Sequence, residues 1–406
     1  MSSIVMKFGG PAVATPEKIQ EIARRAIAEQ RKGLNVAVVI SPMATIRREL
    51  QVYVSELSDN PTKREQDVLL ATGAQMTSAL LSIAIAEQGG KAVSLSGWQA
   101  GVATDSLHSN ARIEAVNTQR IHQHFEQGEI VIIAGSQGVD SHENITTFGK
   151  GGSETTAVAI AAAIDAERVD MYTTVEGIYT ADPHIVPHAK KLKELSYDEM
   201  LELANLGAMI IHPRAVELAK KYNMPVVVRS STVDVEGTLL KEEVEMEMEK
   251  NLVVRGIAYE SDIIRLTVGY DSYEEASLAD IFTVLADNGI NVDIIVQAVI
   301  DKVKPTISFS IEKDQFAESL RVLESSKLSL GFSFADFEVG LAKVSIVGSG
   351  MVSHPGVAAR MFARLSREGI DVKMVSTSEI KVSVVVPQED MIKAANVLHE
   401  EFHLAI

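Results

Sequence analysis

The chain has no cysteine among its 406 residues. That removes disulfides, thiolate nucleophiles and thiolate metal sites, and it fits a cytoplasmic location. Basic charge is also scarce. Lys and Arg number 38 against 55 Asp and Glu, for a formal net charge of −17. An excess of acid on that scale suits neither nucleic acid nor an anionic membrane surface. No uninterrupted apolar run reaches the ~18 residues of a bilayer span. The N-terminus, MSSIVMKFGG, has no basic segment leading into a long apolar core, so no secretory signal is expected. The 10 histidines are scattered without metal-ligand spacing, and no tightly bound metal or organic cofactor is expected. What is present is ordinary globular material, 46% apolar and 23% charged. The length allows two or three domains with a large core.

The first ~235 residues alternate β-rich runs with helical patterns, which predicts a mostly parallel sheet covered on both faces. The expected strands are 4–8, 35–41, 91–95, 129–135, 169–174 and 224–231. The expected helices are 16–30, 63–88, 155–165, 197–206 and 213–222. Thr15 before Pro16 suits a helix start. The stretch 233–250 is rich in Glu and Lys and reads mostly as a charged connector.

The last third repeats itself. IFTVLADNGINVDIIVQ (281–297) aligns with MFARLSREGIDVKMVST (361–377) at a spacing of 80 residues. Leu285 matches Leu365, Gly289 matches Gly369 and Ile290 matches Ile370. Each copy reads as a helix ended by glycine and followed by a strand, with further strands on either side. Two βαββ-type units follow, a size that suits small ligand-sensing domains.

The chemistry-bearing segment is VMKFGGPAVA (5–14). An apolar strand delivers Lys7, and Gly9-Gly10 then lets backbone N–H groups approach an anion closely. A second glycine pair lies in KGGSET (150–155), with Ser153 placed to cap a helix. Together with SGWQAG (96–101), NARI (110–113), GIYTADP (177–183), SYDEMLELANLGA (196–208), HPRAVELAKKYNMPVVVRSS (212–231), NLVVRGIA (251–258) and KVSIVGSGMVSHPGVAA (343–359), these motifs resemble the bacterial aspartate kinases of the short, lysine-pathway type.

The resemblance covers nearly the whole chain. It implies an α/β amino-acid kinase domain, with a mostly parallel sheet between helices, followed by two α+β ACT domains. The implied boundaries are 1–237 for the kinase domain, 238–250 for the connector, 261–340 for the first ACT domain, and 251–260 plus 341–406 for the second, into which the first is inserted. The implied reaction is ATP + L-aspartate to 4-phospho-L-aspartate, with ATP used as its Mg²⁺ complex. By resemblance Lys7 and Glu154 are catalytic. Gly9, Gly10, Gly151, Gly152, Ser153, Thr173, Tyr179 and Asp182 hold nucleotide and phosphate, and Ser41, Arg47 and Lys150 hold the acceptor. Asn291, Asp293 and Gln297 in the first ACT domain, and Thr377, Ser378 and Glu379 in the second, are the implied effector contacts, with lysine or threonine as effector. A homo-oligomer through the ACT domains is expected. An internal start at Met246 or Met248 would yield an ACT-only subunit, and an active paralogue is another possible partner.

Several motif positions depart from the family pattern. Pro11 and Ala12 replace a hydroxyl pair, and Ala74 replaces a glutamate expected near the acceptor's ammonium. Ser136, Thr174 and His184 replace Phe, Asp and Arg, while Lys150 and Glu154 keep the charge of Arg and Asp. Arg47-Arg48 arrive in a loop that usually carries a threonine and an acid. Lysine lacks the bidentate fork of arginine, and losing a partner of a charged ligand group costs a few kcal/mol. Three readings follow: an aspartate kinase of reduced activity, a pseudokinase that senses an amino acid and regulates a partner, and a kinase for a different acceptor.

Overall fold

The structure is a computed structural model that describes residues 1–205, 210–242, 253–272, 277–300 and 304–405. It forms two compact units. The first takes the described parts of 1–178, 191–205 and 209–245, and the second takes those of 179–190 and 246–406.

The first unit is built on an eight-stranded sheet. Its spatial order is Glu194–Ser196, Thr238–Lys241, Val226–Ser230, Arg168–Thr173, Ser3–Phe8, Asn35–Ile40, Ile130–Ala134 and Ala92–Leu95. All neighbours run parallel except Val226–Ser230 with Thr238–Lys241. Every residue of Ser3–Phe8 and Ile130–Ala134 is buried, which is why these strands are apolar apart from Ser3 and Lys7. Helix Pro16–Arg31 packs Ile19, Ile22 and Ala26 into the same core. The 25-residue helix Lys63–Glu87 is long and apolar enough to cross a membrane on length and composition alone. In the fold it lies against helix Pro16–Arg31 and strand Ala92–Leu95, with Leu81 and Ile85 fully buried. A smaller sheet orders Ile113–Val116, Val102–Thr104, Gln137–Val139 and Ile145–Thr147.

Three local expectations are corrected. Residues 238–241 are not connector but a strand of the main sheet, because Thr238 and Leu240 alternate inward and the Thr238 hydroxyl bonds Ile178 and Leu192. Residues 243–250, with Met246 and Met248, lie outside the described residues. A helix at Ala44–Leu57 was not expected. Its signal was Ile46, Leu50 and Val54 at helical spacing, of which Ile46 and Leu50 reach Gly73 on the neighbouring helix. The helix after the second glycine pair starts at Gly152, so Ser153 sits inside the first turn and Gly151 is the cap residue. The carbonyl of Gly151 accepts the first helical bond, from Thr155.

The second unit has one six-stranded antiparallel sheet, ordered Ile295–Ile300, Lys304–Glu312, Gly256–Gly269, Phe334–Val347, Lys381–Pro387 and Met374–Thr377. The two central strands are 14 residues long and serve both repeats. Their ladder runs Gly256–Glu260 against Lys343–Val347, shifts register, and resumes at Ile263 opposite Leu341. Asp262 takes a left-handed φ of 61° at that break. Helices Leu278–Asp287 and Phe316–Leu330 cover one half through Ile281, Leu285, Phe309 and Leu323. Helices Val357–Arg367 and Met391–Glu401 cover the other through Met361, Leu365, Val384 and Leu398. The repeat is structural as well: Leu285 and Leu365 are both fully buried, and Gly289 and Gly369 take φ of 71° and 70°.

Segment 179–190 belongs to this second unit and adds Ala181 and Val186 to its core. Beside them the His399 Nε2 lies 2.9 Å from the Thr180 hydroxyl. Burial, then the charge of His188, holds the His399 pKa below 6.5. The unfolded chain therefore binds a proton more readily than the folded one. Stability of this unit should be complete above pH 6.5 and fall as pH drops below it toward the lowered folded value. Denaturant melts from pH 7.5 to 5 check this, and His399→Gln should flatten the profile. Separately, Phe309→Ala should cost about 3–5 kcal/mol and accelerate hydrogen exchange along Lys304–Glu312.

Candidate active site

The strand Ser3–Phe8 ends at a turn where Gly9 and Gly10 begin a short 3₁₀ segment, with Pro11 at its start. Just before that turn Lys7 is buried, and its Nζ lies 3.0 Å from Glu154 Oε1. The other oxygen of Glu154 accepts the backbone N–H of His212 at 2.7 Å. Three segments distant in sequence are thus tied at one carboxylate: the first strand, the helix Gly152–Ala163, and the start of helix Pro213–Lys221.

Two cavities meet at this pair. The larger, about 530 Å³, is lined by Lys7, Gly9, Gly10, Ser41, Arg47, Ala74, Ser136, Gly151, Gly152, Ser153 and Glu154, with further residues between them. The smaller, about 150 Å³, is lined by Lys7, Gly9, Pro11, Ala12, Tyr172, Thr173, Thr174 and Glu154, among others. Lys7, Gly9, Pro11 and Glu154 line both. Among the described residues Glu154 is the one side-chain carboxylate lining either cavity. Lys150 is exposed between Gly149 and Gly151, and its charge helps lower the His212 pKa, after the larger effect of burial.

The glycine loop is shaped by close approach. Gly151 has φ of 72°, and a Cβ there would fall 2.2 Å from the His212 ring. A Cβ on Gly152 would fall 2.1 Å from the Ser136 hydroxyl oxygen. Ser136 itself takes a positive φ, and its N–H donates to Thr156 Oγ1 on the helix.

Other implied contacts lie elsewhere. Tyr179, Asp182 and His184 fall in the second unit. There Asp182 accepts from the Tyr259 hydroxyl at 2.7 Å and from the His184 N–H. Asn291 donates its N–H to Gln315, and Asp293 pairs with the buried Lys343 at 2.5 Å. Gln297 is exposed on one edge strand of the six-stranded sheet, while Thr377 lies on the other, followed by exposed Ser378 and Glu379.

Residue-type reasoning missed Asp67. It is fully buried, and its carboxylate accepts from the Ser109 N–H and hydroxyl, from the Thr147 N–H and hydroxyl, and faces His108 Nδ1 at 2.9 Å. Ser109 and Thr147 both line the larger cavity, so Asp67 assembles that wall from behind. The polar run Lys63-Arg64-Glu65-Gln66 before it reads as a solvated helix start and hides it, whereas a buried acid requires partners. Gln137 does similar work, donating to Ala71 O and accepting from Gln75.

Residues 2–230 match the Amino acid kinase family, and residues 344–402 match an ACT domain. An aspartokinase from Bacillus sp. (strain MGA3) is 52% identical over all of this chain and 98% of its own length. Aspartokinase 2 from Bacillus subtilis (strain 168) is 53% identical with the same coverage. The chain belongs to the aspartokinase family. Among solved structures, the aspartate kinase from Synechocystis is 37% identical, with a TM-score of 0.56 over 99% of this chain and 69% of that one. E. coli aspartokinase III in complex with aspartate and ADP matches in fold, with a TM-score of 0.80 over 98% of this chain and 99% of that one at 23% identity. The architecture is that of an aspartokinase, an amino-acid kinase domain followed by ACT-type structure.

Gly151→Ala should press its methyl into the rigid His212 ring and shift the N–H that holds Glu154. A displacement of that kind costs about 10²-fold in turnover. Steady-state kinetics beside a circular dichroism spectrum checks it, since the fold should persist.

Proposed function

We propose that the chain catalyses phosphoryl transfer from Mg-ATP to L-aspartate at the Lys7–Glu154 junction, at a rate reduced by its replaced motif residues. The observation that carries this reading is the part-buried Lys7–Glu154 pair shared by two adjoining cavities. Phosphoryl transfer asks the protein for positioning and for cations or N–H groups around the moving group. Lys7 supplies the cation, and the two glycine pairs supply N–H groups. Glu154 orients Lys7, which faces the phosphates of the Mg²⁺-bound nucleotide in this reading. The smaller cavity suits the nucleotide side and the larger one the acceptor. In the step, a β-carboxylate oxygen of aspartate bonds to the γ-phosphorus, the bond from that phosphorus to the β–γ bridging oxygen breaks, and ADP leaves with the electron pair.

Rate is reduced because Pro11, Ala12, Ala74 and Thr174 line these cavities without the hydroxyls and carboxylates that the family motif places there. The same residues favour a second reading, a pseudokinase that keeps the frame and passes an amino-acid signal to a partner. In either case lysine or threonine is the proposed effector, the assembly is an oligomer through the ACT-type unit, and the location is the cytoplasm.

Acyl phosphate trapped with hydroxylamine decides between them. Lys7→Ala should lower any turnover by about 10²–10³-fold. A variant combining Ala12→Ser, Ala74→Glu, Lys150→Arg, Glu154→Asp and Thr174→Asp should raise it. A folded combined variant with no gain would show that these positions do not limit the reaction.

A further inference from the structure

The larger cavity is unbalanced in charge. Among the described residues its one acidic side chain is Glu154, which has both oxygens engaged, one by Lys7 and one by the His212 N–H. A second acid behind its wall, Asp67, is fully buried and accepts from Ser109 and Thr147 while facing His108. Neither carboxylate is open to a ligand's ammonium. One cationic group is open by contrast. Arg47, in the first turn of helix Ala44–Leu57, lines the cavity, is exposed, and makes no ion pair among the described residues. On the neighbouring helix, Lys63–Glu87, Ala74 also lines the cavity, 2% exposed, and its methyl can neither donate nor accept.

We infer that this site recognises its acceptor as a dicarboxylate, through the Lys7 and Arg47 walls, and gains little from an α-ammonium group. The inference rests on the phosphoryl-transfer reading and names its acceptor class. Aspartate then enters through its two carboxylates, and a four-carbon dicarboxylate without the amino group, such as succinate, is an equivalent acceptor. Discrimination between analogues is strong where a site is built to hydrogen-bond the differing group, and weak where no partner waits for it. Here the wall at Ala74 offers none. The chemistry is unchanged: a carboxylate oxygen bonds to the γ-phosphorus of Mg-ATP, ADP leaves with the electron pair, and an acyl phosphate forms.

The test titrates succinate and L-aspartate calorimetrically into the whole chain with Mg²⁺ and a non-hydrolysable ATP analogue. Succinate should bind within about threefold of L-aspartate. Arg47→Ala should weaken both by about tenfold or more, and Ala74→Glu should turn the preference toward aspartate by about tenfold or more. If L-aspartate binds about tenfold tighter than succinate, or if neither binds, the inference is overturned. The unmodified chain decides this even if Ala74→Glu fails to fold. Hydroxamate formation is read separately. Equal binding without acyl phosphate would sink the kinase reading and leave the dicarboxylate site standing. Acyl phosphate from aspartate alone would do the reverse.

Discussion

The first unit depends on one carboxylate. Glu154 takes the Lys7 ammonium on one oxygen and the His212 N–H on the other. A buried ammonium needs a counter-charge to offset its desolvation, and the part-buried Glu154 carboxylate supplies it. The pair therefore fixes the spacing between the first strand, the helix after the glycine loop and the helix after His212. That spacing opens one cavity on each side of Lys7. Gly151 is required because any side chain there meets the His212 ring, so the loop and the pair are parts of a single arrangement.

The second unit solves a different problem. Two βαββ repeats of similar size share two long strands, and a register shift beside Asp262 lets the ladder bend between them. Near that bend, Ile263, Ile294, Leu341, Met374 and Val385 form a small core of their own. Lys343 sits beside it, buried, with Glu260 at 2.6 Å and Asp293 at 2.5 Å. Burial works against its charge, yet the two carboxylates raise its pKa. Asp293 is therefore engaged by an internal cation before any effector arrives, and a ligand ammonium at that position would compete with Lys343.

Much of the fold was legible. Buried parallel strands are mostly apolar, so Ser3–Phe8, despite Ser3 and Lys7, and Ile130–Ala134 stood out, and the matching Gly289 and Gly369 marked both repeats. Thr238–Lys241 and Ala44–Leu57 were harder to read. The strand is four residues long beside a run of Glu, and the helix buries no residue completely. Its apolar spacing was overshadowed by Arg47-Arg48 and by the loop motif that overlaps its start. Asp67 was illegible as a site residue because its role is to hold Ser109 and Thr147, which only the packed helix brings within reach.

The amino-acid order by itself determined the family, the order of the elements and the residue types at the phosphate loops, because those follow from local pattern and motif spacing. The tertiary structure alone decided which carboxylates are already spent. Glu154 and Asp67 are both acids in the sequence, but one is divided between Lys7 and His212 and the other is saturated behind the wall. It also assigned segment 179–190, with Asp182 and its Tyr259 partner, to the second unit. Hydrogen-bond capacity is consumed by neighbours in space, and those neighbours lie tens to hundreds of residues away along the chain.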